Sequence, residues 1–518
     1  MMRSTMRRTS LLIAAVVTTL VVGTGCGADA TPNTPDEAAG GGTLVVGYDN
    51  EPVTLDPHLS VLNRTLLNLF FDSLVRQERD GEIVGALAES WKDNGDSIEF
   101  VLRDGVKFSD GTPVNADAVA FSLDRVLDPE TASPKSSFLS SIDDVVVVDD
   151  STVRLDLNRA DPLLLTYLAH EHGAIVSPTA VEKYGDDFGR HPVGSGPWIF
   201  DSWTSGVELK IEKNPEYWGG QSGELPLLDG VRFRFITDPN VLKAELQTGG
   251  VDIVRLLPPT VVAELQSDPQ LAFDDIGLRR SYYASFNVTG GPFADADLRA
   301  AAAHAINKES IASAAAGDLY ELAPSFATAN DWFYSDDLGQ PSFDPTQAEA
   351  SLAESSSSER DVEIVVRRRD PDPLIAELLQ SQLNAVGFTA RIEALEAAAY
   401  LERLKAHDFD IAIGVIDVPR LDPTLTFNPY FSSTGANNWS GLADEELDKL
   451  LTTAGQTTTQ EERAAAYVEV QRHIVEQNYW SFLYQPVNLL VHAADVEDID
   501  LDVDGEWRLE RTHFADVE

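Results

Sequence analysis

The sequence predicts an α/β protein whose mixed sheets are covered by helices, and three observations carry that prediction. Val362–Ile416 alternates apolar strands (Val362–Val366, Phe388–Ile392, Phe409–Ile413) with helical periodicity over Leu374–Val386 and Ala397–Ala406, which is the pattern of right-handed crossovers onto a sheet. The dipeptides Asp80-Gly81, Asp104-Gly105, Asp110-Gly111 and Asp229-Gly230 read as turns between further strands. A single cysteine in 518 residues leaves no intrachain disulfide. The fold must therefore rest on the core that a 43% hydrophobic chain can build.

Along the chain, Met1–Ser10 carries Arg3, Arg7 and Arg8 without an acid, and Leu11–Val22 carries no charge. A basic start, a short apolar run and small residues describe a secretory signal over residues 1–25, too short for a membrane span of about 20 residues. Cys26 then stands at the cleavage point and resembles the acylated cysteine of a bacterial lipobox, although Gly23 occupies the usual Leu position. The other reading is a secreted protein with one free thiol. Arg7-Arg8 is followed by Thr9-Ser10 rather than an apolar pair, so Sec and twin-arginine export both stay open. Ala28–Gly42, rich in Ala, Thr, Pro, Asp and Gly, reads as a tether.

Order is expected from Thr43, with a buried strand at Leu44–Tyr48. Asn115–Leu127 has a helical apolar pattern at Ala118, Val119, Phe121, Leu123 and Val126. Val145–Asp150 and Thr152–Leu157 read as paired strands, Asp297–Lys308 as one alanine-rich helix and Ser355–Ser358 as a surface loop. Ligands of α/β sheets sit beyond the carboxyl ends of strands. Arg367–Asp370 and Gly414–Asp422 are thus the first loops to inspect.

The chain has 38 basic and 85 acidic residues, a net charge of −47, and loses three arginines with the signal. Binding to nucleic acid through its phosphates is excluded in practice, and acidic lipid would repel the surface, so a covalent lipid suits attachment. No phosphate loop, His-Glu-x-x-His or Gly-x-Ser-x-Gly elbow is present. Asp500-x-Asp502-x-Asp504-Gly505 begins like a calcium loop, but Arg511 stands where the bidentate Glu belongs. His170 and His172 lack a third ligand and are expected at the surface. No cofactor is expected.

Several ordered segments resemble the extracytoplasmic solute-binding proteins of ABC importers, the oligopeptide/dipeptide/nickel-binding group known as bacterial family 5. They include Leu44–Pro57, Leu87–Trp91, Phe100–Pro113, Ala118-Val119, Val193–Trp198 and Asn214–Trp218, with Phe293–Asn307 and Glu462–Glu476 further on. The resemblance implies a two-lobed periplasmic-binding-protein-like fold with a two-strand hinge. The larger lobe would span 43–280 plus 488–518, with an extra subdomain near 81–190, and the second lobe 281–487. It further implies a monomer that binds a small molecule or peptide outside the membrane, works with an ABC permease and its ATPase subunits, and makes or breaks no bond.

Peptide-binding members carry Phe-Asp-x5-Trp-x2-Asp-Tyr-x2-Pro, whose Asp holds the peptide ammonium. Phe409–Pro423 aligns without a gap, but places Ile416, Pro419 and Arg420 at the Trp, Asp and Tyr positions. Asp417 is a possible substitute for the lost carboxylate. Together with the run Arg367-Arg368-Arg369, Arg420 suggests an anionic ligand group, although charge runs are usually solvated. Candidate contacts are completed by Glu51 and by the aromatics Tyr48, Tyr282, Tyr283, Trp332, Trp439 and Tyr484, for which core packing is the alternative role. A metal-chelate or siderophore binder, a surface hydrolase and a sensor or adhesin stand as rival functions.

Overall fold

The computed structural model describes residues 41–515 except 62–63, 80, 162, 221–224, 278–279, 323, 329–330, 419–421, 458 and 503–504. Cys26, the signal segment, residues 28–40 of the tether and Arg420 lie outside the described residues.

Two mixed sheets organise the chain. The first has seven strands in the order Leu271–Asp275, Leu489–Ala493, Ile253–Val254, Thr43–Tyr48, Gly230–Phe235, Glu208–Lys213 and Trp198–Thr204. Thr43–Tyr48 runs parallel to both its neighbours, pairing Gly47 with Val254 and Tyr48 with Phe235. Leu44 and Val46 are sealed in one core and Val45 packs against another, as expected for a strand buried on both faces. The second sheet orders Tyr320–Glu321, Trp480–Pro486, Arg280–Phe286, Ile411–Asp417, Asp361–Arg367 and Thr389–Leu395. The last three are parallel.

The chain passes between the sheets twice, from Asp275 to Arg280 and from Pro486 to Leu489. Ile276 N–H donates to the Asn488 carbonyl at 3.2 Å, so the crossings are paired into a two-strand hinge joining two lobes. An antiparallel four-stranded sheet (Ala88–Asp93, Ser97–Leu102, Thr152–Leu157, Ile142–Asp149) forms the extra subdomain. The helix Ala116–Leu127 covers it, capped by Asn115 Oδ1, which accepts from Ala118 N–H at 3.0 Å. Val119, Leu123 and Val126 face that core. Phe121 does not, because two residues turn a helix by about 200°, and it is 36% exposed.

Three sequence expectations need correction. The alanine-rich segment is two helices, Ala296–Ala305 and Lys308–Ala316. Asn307 between them caps the second by accepting from Ser310 N–H at 2.9 Å, a role asparagine favours over helix interior. Gly230 opens a strand instead of ending a turn. The last strand of the alternating block runs Ile411–Asp417 and so continues through Gly414. The Tyr283 phenol lies where a Gly414 Cβ would stand, 2.4 Å away, so this position has no room for a side chain.

Candidate functional site

Both sheets turn their carboxyl edges toward the hinge. In the second lobe that edge carries the ends of Asp361–Arg367, Thr389–Leu395 and Ile411–Asp417, the start of Arg280–Phe286 and the end of Trp480–Pro486. In the first it carries Tyr48, Phe235 and Val254, with Asp275 beside Leu489. The gap between these edges is the candidate ligand cleft.

On the second-lobe edge, most of the arginine charge is answered internally. Arg280 donates to both oxygens of Asp417, at 2.7 and 3.2 Å. This leaves Asp417 half exposed yet occupied by a bidentate partner. Arg367 holds the buried Asp372 through Nε at 2.9 Å and Nη2 at 2.8 Å. Arg368 donates to the Ala394 carbonyl at 3.0 Å and reaches Glu396 at 3.5 Å. Arg369 is exposed; its carbonyl accepts from Asp372 N–H at 2.9 Å, but its guanidinium makes no hydrogen bond or ion pair among the described residues. It is close enough to influence the Tyr282 phenol and the Asp372 carboxyl electrostatically. Tyr282 and Tyr484 stack beside it, 4.8 Å apart and 7° from parallel.

The other aromatic candidates divide by sheet face, because neighbours on a strand point to opposite sides. Tyr283 stacks on Trp480 at 3.8 Å and joins Trp332 in the core behind the sheet. Trp439 packs against the cluster of Val365, Tyr400 and Phe409. Tyr48 is 8% exposed and edge-on to Phe233. Glu51 is used locally, accepting from Trp203 Nε1 at 2.9 Å and Gly206 N–H at 2.8 Å.

The first-lobe wall holds residues that the sequence reading did not select. Arg64 Nη2 binds Asp502 at 2.6 Å, and its Nε lies 3.5 Å from Glu171, which also faces Lys135 at 3.5 Å. Arg255 holds Glu506 at 3.0 Å. Burial would raise the Glu171 pKa, but Lys135, His172 and Arg64 hold it at about 2. Asp502, suspected as a calcium ligand, is thus an ion-pair partner. No group of three His, Cys, Asp or Glu among the described residues could hold a metal. Above this network lie Phe138, Tyr167 and His172, with Phe138 4.2 Å from the imidazole and 5.3 Å from the phenol. Burial, Asp161 and then Asp422 push the Tyr167 phenol up to about 12. Only spacing in three dimensions joins Phe138, Tyr167 and His172; no motif announces them.

Of the two histidines expected at the surface, His170 is inside, 4% exposed with Nε2 3.2 Å from Gln77 Oε1, and His172 is half-buried. Burial brings the His172 pKa from 6.5 down to about 4. A depressed histidine contributes stability that is full above pH 6.5 and lost as pH falls toward 4. Asp72, Glu506 and Glu510 are raised by burial and act in the opposite sense, so the difference between variants is the informative quantity. Wild type should lose about 3 kcal/mol relative to His172→Gln between pH 7 and pH 4. Parallel pH profiles from urea unfolding would contradict this.

Residues 82–438 match the profile of bacterial extracellular solute-binding proteins, family 5. The chain is 28% identical over 464 residues to the probable D,D-dipeptide-binding periplasmic protein DdpA of Escherichia coli (strain K12), covering 85% of this chain and 88% of that protein. It is 29% identical over 503 residues to the glutathione-binding protein GsiB of Salmonella typhi, covering 91% and 93%. Among solved structures, MoaA from A. tumefaciens R10 in complex with mannopinic acid superposes with a TM-score of 0.77 at 27% identity, covering 92% of this chain and all of that one. The chain belongs to the family 5 extracellular solute-binding proteins. It is an extracytoplasmic ligand binder of ABC importers and not an enzyme, which removes the hydrolase reading.

Proposed function

We propose that this protein captures a small peptide-like solute with an anionic recognised group and delivers it to an ABC permease. One observation carries the reading: Asp417, two residues before the lost ammonium-holding position in the sequence, is occupied by Arg280, whereas the Arg369 guanidinium on the same edge has no partner among the described residues. A cationic amine finds Asp417 already occupied by Arg280, while a carboxylate meets the uncommitted Arg369 guanidinium. Tyr282 and Tyr484 supply the neighbouring wall. Arg420, outside the described residues, is a further candidate three residues after Asp417 in the sequence. The relatives named for D,D-dipeptide and glutathione, and the solved complex of MoaA with mannopinic acid, support small acids and short peptides as the first ligands to try.

In this reading Thr43–Arg280 with Asn488–Glu518 is the larger lobe and Ser281–Val487 the second, closing as a monomer over the ligand. Acylation at Cys26 would tether it to the outer face of the membrane. Among the described residues no helix is long and apolar enough to cross a membrane. The test is calorimetric titration of purified protein with glutathione, a D,D-dipeptide, mannopinic acid and a cationic tripeptide amide. Binding of one or more acids without the cationic peptide is expected. Binding of the cationic peptide alone would overturn the proposal.

A further inference from the structure

The cleft edge also holds a residue pair that bears on which sign of charge it accepts. Arg280 opens the strand Arg280–Phe286, and Asp417 closes Ile411–Asp417. Register sets them directly opposite on the last rung of that antiparallel ladder, where facing side chains meet across the strands. The guanidinium covers both Asp417 oxygens, at 2.7 and 3.2 Å. The contact is thus fixed by the sheet and is not a chance meeting of long surface chains. It adds little to stability, because the Asp417 side chain is 57% exposed. Its consequence lies in what the edge can bind.

The charges of the edge can be followed one by one. Arg367 takes Asp372, Arg368 takes Glu396 and Arg280 takes Asp417. Arg369 and the exposed Asp370 beside it keep uncommitted side chains among the described residues, and as chain neighbours they offset each other. Tyr282, two residues along from Arg280, shares its face of the sheet. Asp49, just past the strand Thr43–Tyr48, acts on the Arg280 guanidinium without an ion pair to it. Asp417 also acts on the Tyr430 phenol. Asp417 is therefore the one strand-end carboxylate of this edge that a single substitution would leave bare and half exposed.

We propose that Arg280 sets the charge preference of the cleft by masking Asp417, a role that rests on the anion-binding reading above. With the mask in place, an arriving ligand meets the free Arg369 fork and finds the strand-end carboxylate taken. Without it, Asp417 offers two free oxygens to a primary ammonium group. Arg280 acts through Asp417, as a positioning residue, and the ligand class it turns away is the alkylammonium.

The probe is trialanine amide, which carries one ammonium and no carboxylate, titrated calorimetrically into the full chain. Arg280→Met keeps an apolar stem and removes the fork; it should bind the amide at least about tenfold more tightly than wild type. Arg280→Met/Asp417→Asn should return to the wild-type value, whereas a general loosening of the edge would not be reversed by the second change. Should Arg280→Met fail to fold, Arg280→Lys, with one ammonium in place of the fork, should still gain about threefold. Equal affinity in wild type and the Arg280 variants, undetectable binding in both included, would overturn the role of Arg280. So would a gain that persists in the double variant. Binding of the amide by wild type counts against the anion-binding reading instead, since the role of Arg280 is read from the difference between variants.

Discussion

Arg125→Ala is expected to lower the unfolding free energy by about 3–5 kcal/mol, the cost of leaving a buried carboxylate unpaired. Asp56 is 2% exposed and receives both guanidinium nitrogens, at 3.0 and 2.6 Å. The same guanidinium donates to His58 Nδ1 at 2.8 Å, while His58 Nε2 donates to the Ala174 carbonyl at 2.9 Å. This arrangement requires a neutral imidazole, and burial keeps its pKa near 4. The pair ties the Leu55-Asp56-Pro57 loop to the subdomain helix Ala116–Leu127, so its loss should loosen the subdomain against the first sheet. Urea unfolding measures the effect. Arg125→Lys, which keeps the charge without the fork, should lie between the two. A loss below about 1 kcal/mol would mean that Asp56 behaves as a surface ion-pair partner.

Arg64→Ala is expected to cost a similar about 3–5 kcal/mol, for a different reason. Arg64 stands between Glu171 of the cleft wall and Asp502 of the returning C-terminal segment. Asp502 is also the acceptor for Glu506 N–H at 2.9 Å, and Glu506 is held by Thr65 and Arg255. Removing one cation therefore leaves two buried carboxylates short of charge and frees the segment that closes the first lobe. Hydrogen exchange should report faster opening at residues 496–509, with the second lobe unchanged. Uniform loss of protection through both lobes, or none at all, would contradict this assignment.

The fold was largely legible in the chain because periodicity and capping are local. Val362–Ile416 shows its strands and helices in its apolar spacing, and Asn115 announces its helix by residue type. What failed was also local chemistry overruled by contact. The Gly414 strand continues because Tyr283 fills the space above it, and the alanine run breaks because Asn307 caps better than it continues. The site was legible in part. The run Arg367–Arg369 was visible, but which arginine is free depends on Asp372, Asp417 and Glu396, residues whose proximity only folding creates. Likewise Phe138 meets Tyr167 and His172 only through folding, and of the two histidines expected at the surface His170 is interior and His172 half-buried.

In the proposed function, the uncommitted Arg369 guanidinium on the second-lobe edge recognises an anionic ligand. The direct measurement is the affinity of Arg369→Ala for whichever acid the calorimetric panel identifies, beside Arg368→Ala as a control already paired to Glu396. A charge-assisted hydrogen bond lost at the cleft should weaken binding about 10–100-fold in Arg369→Ala and leave Arg368→Ala within about twofold of wild type. Equal affinities for wild type and Arg369→Ala would contradict the account.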